Sequence, residues 1–287
     1  MSDMLKMNYD FPEAEGLVVC GDIHGKFDEL VYRMTALCRM EHTVVIVAGD
    51  CGFGFHRRGY YDEVYRRVLP KLERADCHVV FVRGNHDNPA YFDGEEINMK
   101  RWVSVSDYST VTAAGHRVLC VGGATSVDRK SRESYNHPAY VPKPDWAKIF
   151  DVDERMAATM QTVAEHRMAL TPADYWPLEQ PYIDESALAR LHREGKTVDA
   201  VVTHVAPSIC EDVVPPSWLE YLIENDPTLP DDMRHDREVM DALLERLRKH
   251  CHPVRHWLYG HYHHSWQDEI DGIRYTMLKE MEMKELR

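Results

Sequence analysis

Hydrophobic residues are concentrated in short runs along this chain, and polar segments separate them. A run of about four to eight apolar residues is typical of a strand that is buried on both faces of a sheet. Several of the runs are followed directly by glycine, asparagine, aspartate or histidine. The predicted strands are residues 17–20, 44–48, 79–82, 118–121, 198–202 and 256–259.

Helical periodicity occurs between some of these strands. Apolar residues repeat at helical spacing over residues 27–38, 61–72 and 239–247, which predicts an amphipathic helix in each segment. Strands that alternate with helices indicate a layered α/β fold.

The segment from about residue 125 to residue 196 breaks this alternation. It is rich in proline, and only residues 153–170 within it have a convincing helical pattern. We interpret the segment as an insertion in a single domain that spans residues 1–287. The final residues, TMLKEMEMKELR, predict a last strand followed by a frayed, charged tail.

Polar side chains follow five of the predicted strands, at the points where those strands end. The motifs are GDIHG, GDCG, GNHD, THVA and GHYH. Taken singly, each aspartate, asparagine or glycine is an ordinary turn residue. If the strands are adjacent, the motifs together bring oxygen and imidazole ligands to one edge of a sheet. The residues concerned are Asp22, His24, Asp50, Asn85, His86, His204, His261 and His263.

Spacing within the motifs indicates a metal centre. In extended backbone, residues i and i+2 point to the same side, so Asp22 can act with His24, and His261 with His263. Carboxylate, carboxamide and imidazole ligands without thiolate suit divalent ions such as manganese, iron, nickel, zinc or magnesium. The motifs supply more ligands than one ion needs, which predicts two ions.

Composition limits the classes of partner and compartment. The 34 basic and 48 acidic residues give a formal net charge of -14, which disfavours a protein that wraps nucleic acid in bulk. The seven cysteines form no C-x-x-C pair and are interpreted as reduced thiols, mostly in the core. No apolar run suits a leader peptide or a membrane span, so we expect a cytoplasmic protein without a membrane partner. The oligomeric state is left open.

The ordered motifs GDIHG, AGDCG, RGNHD, VTHVAPS and YGHYHH resemble the pattern of the calcineurin-like metallophosphoesterases. The resemblance extends over residues 22–263, which is most of the chain. It implies an α/β fold of two packed mixed β-sheets flanked by helices, a four-layer αββα sandwich with the site at the strand ends. It also implies hydrolysis of phosphate esters by two divalent metal ions, with manganese as the first choice.

The resemblance implies a role for each ligand. One ion would be held by Asp22, His24 and His263, the other by Asn85, His204 and His261, and Asp50 would bridge the two. His86 would be the catalytic residue, either as general acid to the leaving oxygen or as a stabiliser of the transition state. Asp87 is left outside the catalytic set and is expected to cap a helix.

Departures from the family pattern bear on the substrate. The serine/threonine phosphatase branch has an aspartate-arginine-glycine triplet where this chain has GDCGFGFHRRG, so an arginine that would hold a phosphomonoester dianion is missing. We therefore expect a phosphodiesterase that acts on a small molecule or nucleotide. The alternatives are a phosphomonoesterase, including a serine/threonine protein phosphatase, and a non-catalytic metal-bound scaffold; a nuclease is disfavoured by the net charge.

Several other residues are candidates for contacts with the substrate. Residues 122–132 are expected to form a loop near the site that shapes a specificity pocket. Three tryptophans could stack on a ring, although packing is the more common role: Trp146, Trp176 and Trp218. Five arginines could bind phosphate, although each is more commonly solvated at the surface: Arg57, Arg58, Arg83, Arg129 and Arg132.

Overall fold

The computed structural model of the chain describes residues 7–57, 59–130, 173, 175–176, 179–210 and 216–287, with only the backbone described at 216–218. The strands are β1 (Asn8–Phe11), β2 (Gly16–Cys20), β3 (Thr43–Ala48), β4 (His78–Val82), β5 (Asn98–Met99), β6 (Trp102–Ser104), β7 (Ser109–Ala113), β8 (His116–Val121), β9 (Ala200–Thr203), β10 (His256–Tyr259), β11 (Trp266–Ile270), β12 (Ile273–Met277) and β13 (Met283–Glu285). The α-helices are α1 (Phe27–Tyr32), α2 (Gly59–Ala75), α3 (Glu185–Arg193), α4 (Pro216–Asn225) and α5 (Leu229–Lys249).

The strands form two mixed sheets. The six-stranded sheet has the order β13-β2-β3-β4-β6-β5, and the seven-stranded sheet has the order β1-β7-β8-β9-β10-β12-β11. Strands β2, β3, β4 and β6 are parallel to one another, as are β8, β9, β10 and β12. The carboxyl ends of the central strands in each sheet therefore lie at a common edge, where ligands bind in open α/β sheets.

Three apolar clusters divide the molecule into four layers. The middle cluster joins the facing sides of the sheets, with Val19 and Ile46 from one and Cys120 and Val202 from the other. The cluster on the outer face of the six-stranded sheet includes residues of α1 and α2, and the cluster on the outer face of the seven-stranded sheet includes residues of α3 and α5. The prediction of two mixed sheets flanked by helices is thus confirmed.

All six predicted strands are present: four begin one or two residues earlier than predicted, one begins and ends later, and one has the predicted bounds. The strand predicted at 198–202 begins at Ala200, since Val198 bonds to a side chain rather than to a neighbouring strand. The Val198 amide donates to Nδ1 of His252 over 3.1 Å, and the Asp199 amide donates to the Arg117 carbonyl over 3.1 Å.

The helical patterns are present with two differences of detail. The segment predicted as one helix at 27–38 is α1 followed by a π-helical turn at Arg33–Leu37. That turn exposes Leu37 to 61%, so the end of the apolar series is not core. The patterns at 61–72 and 239–247 lie inside the longer helices α2 and α5.

The tail predicted to fray is a strand. Residues Met283–Glu285 form β13, which pairs antiparallel with β2. The Gly21 amide donates to the Glu282 carbonyl, and the Met281 amide donates to the Asp22 carbonyl, both over 2.9 Å. The charged residues are compatible with this pairing because β13 lies at the edge of the sheet, where alternate side chains face water.

The single-domain prediction and the insertion at 125–196 remain predictions. The helix predicted at 153–170 lies outside the described residues, whereas α3, near the end of the segment, packs Leu188 and Leu191 into the core of the seven-stranded sheet. Among the described helices, none combines the length and the apolar composition that a bilayer span requires.

Candidate metal centre

The eight predicted site residues meet at the common edge of the two sheets. Each lies in the loop directly after a central strand, namely β2, β3, β4, β9 or β10. The strand order places these five strands next to one another within their sheets, which is why residues far apart in sequence converge. The residues brought together are Asp22, His24, Asp50, Asn85, His86, His204, His261 and His263.

One group of ligands contains Asp22, His24, Asp50 and His263. Each offers an atom that lies within 4.8 Å of the corresponding atoms of the other three. Nε2 of His263 is 3.0 Å from Oδ2 of Asp22, and Nε2 of His24 is 3.9 Å from the same oxygen. The four side chains thus surround a space of the size that one cation occupies.

A second group lies beside the first and contains Asn85, His204 and His261. Oδ1 of Asn85 is 2.8 Å from Nε2 of His204 and 3.0 Å from Nδ1 of His261. Nε2 of His204 is also 3.3 Å from Oδ1 of Asp50. The Asp50 carboxylate therefore stands between the two groups.

The chemistry of His204 fits a cation. Its Nδ1 donates to the Ala48 carbonyl over 2.8 Å, so in the neutral ring Nε2 carries a lone pair. That lone pair faces the oxygens of Asn85 and Asp50, an arrangement that requires a positive charge between them. Burial lowers the pKa of His204, but the carboxylates of Asp50 and Asp22 outweigh it and raise the pKa to about 9. A divalent ion would supply the same positive charge.

The protonation states of the other ligands suit metal binding. Burial would raise the pKa of Asp50, but His204 and His86 hold it well below its usual value. Burial and the neighbouring His204 hold the pKa of His261 well below its usual value. Burial also lowers the pKa of His24. Asp50 is therefore ionised and the imidazoles of His24 and His261 favour the neutral form, which are the forms that bind metals, whereas the hydrogen bond to Asp22 raises the pKa of His263.

Four of the predicted ligands have strained backbone. The φ angles of His24, Asp50, His261 and His263 are 43°, 45°, 73° and 51°, in the left-handed region that non-glycine residues rarely adopt. Such conformations cost on the order of 1–3 kcal/mol each and concentrate at functional sites. The strain turns these side chains inward at the loop where each strand ends.

Glycines next to the ligands allow the loops to approach closely. A Cβ at Gly84 would lie 2.1 Å from Oδ1 of Asp50, and a Cβ at Gly260 would lie 2.0 Å from Oδ1 of Asp22. Any larger residue at either position would displace a carboxylate of the centre.

The role expected for Asp87 is wrong, and its actual role is larger. The short 3₁₀ helix Pro89–Tyr91 is capped by Asn88, whose side chain accepts the Ala90 amide. Asp87 is buried and accepts four backbone amides, those of Cys51, Gly52, Phe53 and Gly84. It thereby ties the loop after β3 to the loop after β4. In the sequence, the position of Asp87 directly after Asn85 and His86 is the feature that could have indicated this role.

Where the structure describes them, the arginines predicted as candidates for phosphate binding all form ion pairs with carboxylates. Arg83 is 3% exposed and pairs with Asp107 at 3.0 Å, while Arg129 pairs with Asp226 and Asp232. Arg57 pairs with Glu63 at 2.6 Å. Arg58 and Arg132 lie outside the described residues.

The tryptophan candidates offer no stacking surface among the described side chains. Trp176 is 2% exposed and packs against the turn at Gly54, so its ring serves packing. Trp146 and the side chain of Trp218 lie outside the described residues.

The loop predicted near the site does reach it. Ser126, which is fully buried, accepts a hydrogen bond over 2.8 Å from Nδ2 of Asn85. Ser126 also donates to the buried carboxylate of Glu179. Neither residue is in the predicted site, because an isolated serine and an isolated glutamate outside a motif carry no recognisable pattern.

Comparisons with known proteins identify relatives of this chain. The catalytic subunit of serine/threonine-protein phosphatase 6 of Drosophila melanogaster is 33% identical over 129 residues, which cover 40% of this chain and 41% of that protein. The chain thus matches less than half the length of this curated relative.

Two solved structures are similar over most of the chain. A dimetal phosphatase of Danio rerio has a TM-score of 0.45 and 13% identity, covering 93% of this chain and 88% of that one. A protein of Thermus thermophilus has a TM-score of 0.48 and 9% identity, covering 96% and 99% respectively.

The sequence profile of the calcineurin-like phosphoesterases matches residues 17–265, from the start of β2 to just beyond the last histidine motif. That span contains every residue of the two ligand groups, in the order that the motifs predict. The family prediction is confirmed, and the chain belongs to the calcineurin-like phosphoesterase family.

Proposed function

We propose that this protein is a phosphoesterase dependent on two divalent metal ions and that its preferred substrate is a phosphodiester of a small molecule or nucleotide. The observation that carries the proposal is the position of Asp50. Its carboxylate is 2% exposed and lies between the group of Asp22, His24 and His263 and the group of Asn85, His204 and His261. A single buried carboxylate in that position suits a pair of cations rather than one.

The proposed ligands follow the two groups. One ion would be held by Asp22, His24 and His263, the other by Asn85, His204 and His261, and Asp50 would contact both. When bound, the pair of ions polarises the phosphate and activates water for in-line attack. Manganese is the proposed metal because oxygen and imidazole ligands without thiolate suit it.

His86 is the proposed catalytic residue. Its amide donates to Oδ1 of Asp50 over 2.9 Å, which fixes the loop, and its Nε2 lies 3.9 Å from Oδ2 of the same carboxylate. The imidazole is 15% exposed, so it borders the space that a substrate would enter. In the proposed mechanism it donates a proton to the leaving oxygen as the ester bond breaks, a contribution of about 100- to 10,000-fold.

The preference for a diester is supported by the arginines. A phosphomonoester dianion exposes two charged oxygens that protein phosphatases hold with guanidinium groups. Arg83 is instead buried in an ion pair with Asp107, and Arg129, which is 12% exposed, pairs with Asp226 and Asp232. A diester carries only one negative charge and does not need this contact.

A serine/threonine protein phosphatase is the second candidate. It is favoured by the 33% identity to the catalytic subunit of protein phosphatase 6 over 129 residues. A cytoplasmic location is part of the proposal under either activity and is supported by the seven free thiols of the chain.

Initial rates on a matched aryl phosphodiester and phosphomonoester, with manganese added, test the proposal. We expect faster hydrolysis of the diester, loss of activity in Asp50→Asn and His86→Ala, and unchanged activity in Asp10→Asn, an exposed aspartate remote from the site. Turnover of the monoester alone would replace the diesterase with the phosphatase. If neither ester is hydrolysed while two manganese ions are bound, a phosphoesterase of narrow substrate range or a metal-bound scaffold replaces the proposal.

A further inference from the structure

Three buried side chains form a series of hydrogen bonds that begins at the proposed metal centre. Nδ2 of Asn85 donates to Oγ of Ser126 over 2.8 Å, and Oγ of Ser126 donates to Oε2 of Glu179 over 2.6 Å. The Ser126 amide donates to the other oxygen, Oε1, over 2.5 Å. Asn85, Ser126 and Glu179 are each at most 3% exposed, so water does not compete for these bonds.

We propose that Glu179, acting through Ser126, is a positioning residue that orients the Asn85 amide so that its oxygen, and not its nitrogen, faces the metal. The inference rests on the proposed function, because it assigns Asn85 to the second ion. A carboxamide has two ends of similar size, and only the oxygen can bind a cation. Some neighbour must therefore distinguish the two ends.

The direction of the hydrogen bonds makes that distinction. Both oxygens of Glu179 accept from Ser126, and in the ionised form neither can donate, so the single hydrogen of the Ser126 hydroxyl is committed to Glu179. The lone pairs of Oγ are then left for a donor, and Asn85 can meet them only with Nδ2. Its Oδ1 is thereby turned toward His204 and His261, at 2.8 and 3.0 Å.

The surroundings hold Glu179 in place. Its backbone carbonyl accepts from the Arg83 guanidinium over 2.8 Å and from the Ala124 amide over 3.1 Å. Arg83 is itself held by Asp107. Burial raises the pKa of Glu179 well above its usual value, and the two hydrogen bonds donated by Ser126 oppose this rise by stabilising the ionised form. Arg83, a candidate for binding substrate, thus serves to fix the segment that carries Glu179.

Glu179→Gln reverses the direction of the hydrogen bonds among Glu179, Ser126 and Asn85 and leaves the side-chain volume almost unchanged. The oxygen of the new glutamine would accept the Ser126 amide, and its NH₂ group would donate to Oγ, which releases the hydroxyl hydrogen toward Asn85. The Asn85 amide would then present its oxygen to Ser126 and its nitrogen to the metal. Residues that hydrogen-bond to a metal ligand typically contribute about 10- to 100-fold to the metal affinity. We expect Glu179→Gln to lower the affinity for one of two manganese ions by that factor.

The experiment measures manganese binding to the metal-free protein by electron paramagnetic resonance of the free ion. The variants are Glu179→Gln, Ser126→Ala and, as a matched control, Asp236→Asn. Asp236 is a buried carboxylate that accepts the neighbouring Thr125 amide over 2.6 Å. We expect Glu179→Gln and Ser126→Ala each to lower the manganese affinity of one site by about 10- to 100-fold. We expect the control, Asp236→Asn, to bind both ions as tightly as the wild type does.

The decisive test is to introduce Glu179→Gln into a protein that already carries Asn85→Asp. A carboxylate presents oxygen to the metal in either orientation, so Glu179→Gln should no longer weaken binding there. It should instead strengthen binding, since Ser126 could donate to the new aspartate and accept from the new glutamine. The unfolding midpoint of each metal-free variant shows whether it is folded.

The outcomes separate this inference from the proposed function. A wild type that binds fewer than two manganese ions overturns the metal centre itself. If the wild type binds two manganese ions and Glu179→Gln binds them with the same affinity, the positioning role is overturned. An uncharged group would then orient Asn85 equally well. An equal loss from Glu179→Gln in the wild-type and Asn85→Asp backgrounds also overturns it, since the effect would come from disruption of the loop.

Discussion

His24 and His263 place their Nε2 atoms 2.9 Å apart at the rim of the candidate centre. The side chains are 21% and 50% exposed, whereas that of His204 in the neighbouring group is fully buried. Two imidazole nitrogens at that distance share either a proton or a cation. The group that contains them is therefore the one from which solvent and chelators reach a bound ion first.

Removal of an imidazole from this pair should empty one site. We expect His263→Ala to bind one manganese ion instead of two and to lose more than about 100-fold in hydrolytic activity, since even residues behind the ligands contribute about 10- to 100-fold to affinity. The neighbouring His264 is exposed, and His264→Ala is the control. Metal analysis after gel filtration measures the stoichiometry, and two ions in His263→Ala would contradict the assignment.

Asp87→Asn should destabilise the fold. The carboxylate accepts two amides on each oxygen, so the NH₂ group of asparagine would face two backbone N–H donors. An unsatisfied buried donor costs about 1–3 kcal/mol, which predicts a decrease of about 2–6 kcal/mol in the free energy of unfolding. Urea denaturation measures it. Asp10→Asn, at an exposed aspartate, should change little, and equal stabilities of the two variants would refute the bracing role.

Gly84→Ala should abolish metal binding without a change of any ligand. The added methyl group would lie 2.1 Å from Oδ1 of Asp50 and 2.0 Å from its amide nitrogen, so the carboxylate must move. Gly59→Ala is the control, because a Cβ there meets only the end of the Arg57 side chain, at 3.3 Å. Manganese titration of both variants checks the prediction, and normal binding by Gly84→Ala would contradict it.

Stability should fall in mild acid because of His252, which lies between α5 and β10. Burial, together with His192 and His250, lowers the pKa of His252 to about 4. Its Nδ1 accepts the Val198 amide over 3.1 Å, and protonation there breaks that bond. Between about pH 6.5 and 4 the unfolded chain binds more protons at this residue than the folded chain, so the free energy of unfolding decreases as the pH falls.

His252→Asn tests this pH dependence, because its amide oxygen can accept from Val198 and cannot be protonated in this range. Denaturant titrations of the metal-free protein at several pH values should give a shallower decline for the variant than for the wild type. Parallel curves would show that His252 does not contribute.

The buried parts of the fold are the parts that the sequence predicts well. Central strands such as β3 are covered on both faces, so their apolar runs are continuous and easily recognised. Edge strands such as β11 and β13 are half exposed and short, and their pairing is set by tertiary contacts that leave no local pattern. The π-helical turn after α1 is likewise invisible in the periodicity of its residues.

The candidate site divides in the same way. Motif residues such as His204 and His261 are recognisable because each follows a strand and several recur together. Ser126 and Glu179 are not, because their importance comes from a contact between two loops. Arg83 shows the opposite error, since a basic residue beside a motif is a reasonable candidate for binding phosphate until its ion pair with Asp107 is seen.

The pairing of β13 with β2 has a consequence for the order in which the protein is made. The loop that bears Asp22 is held by the Met281 amide and by the Glu282 carbonyl. A ribosome synthesises Asp22 early and those two residues late, so this loop lacks its support while most of the chain is being produced. We therefore expect the Asp22 loop to reach its final conformation only after residues 281–285 have been synthesised.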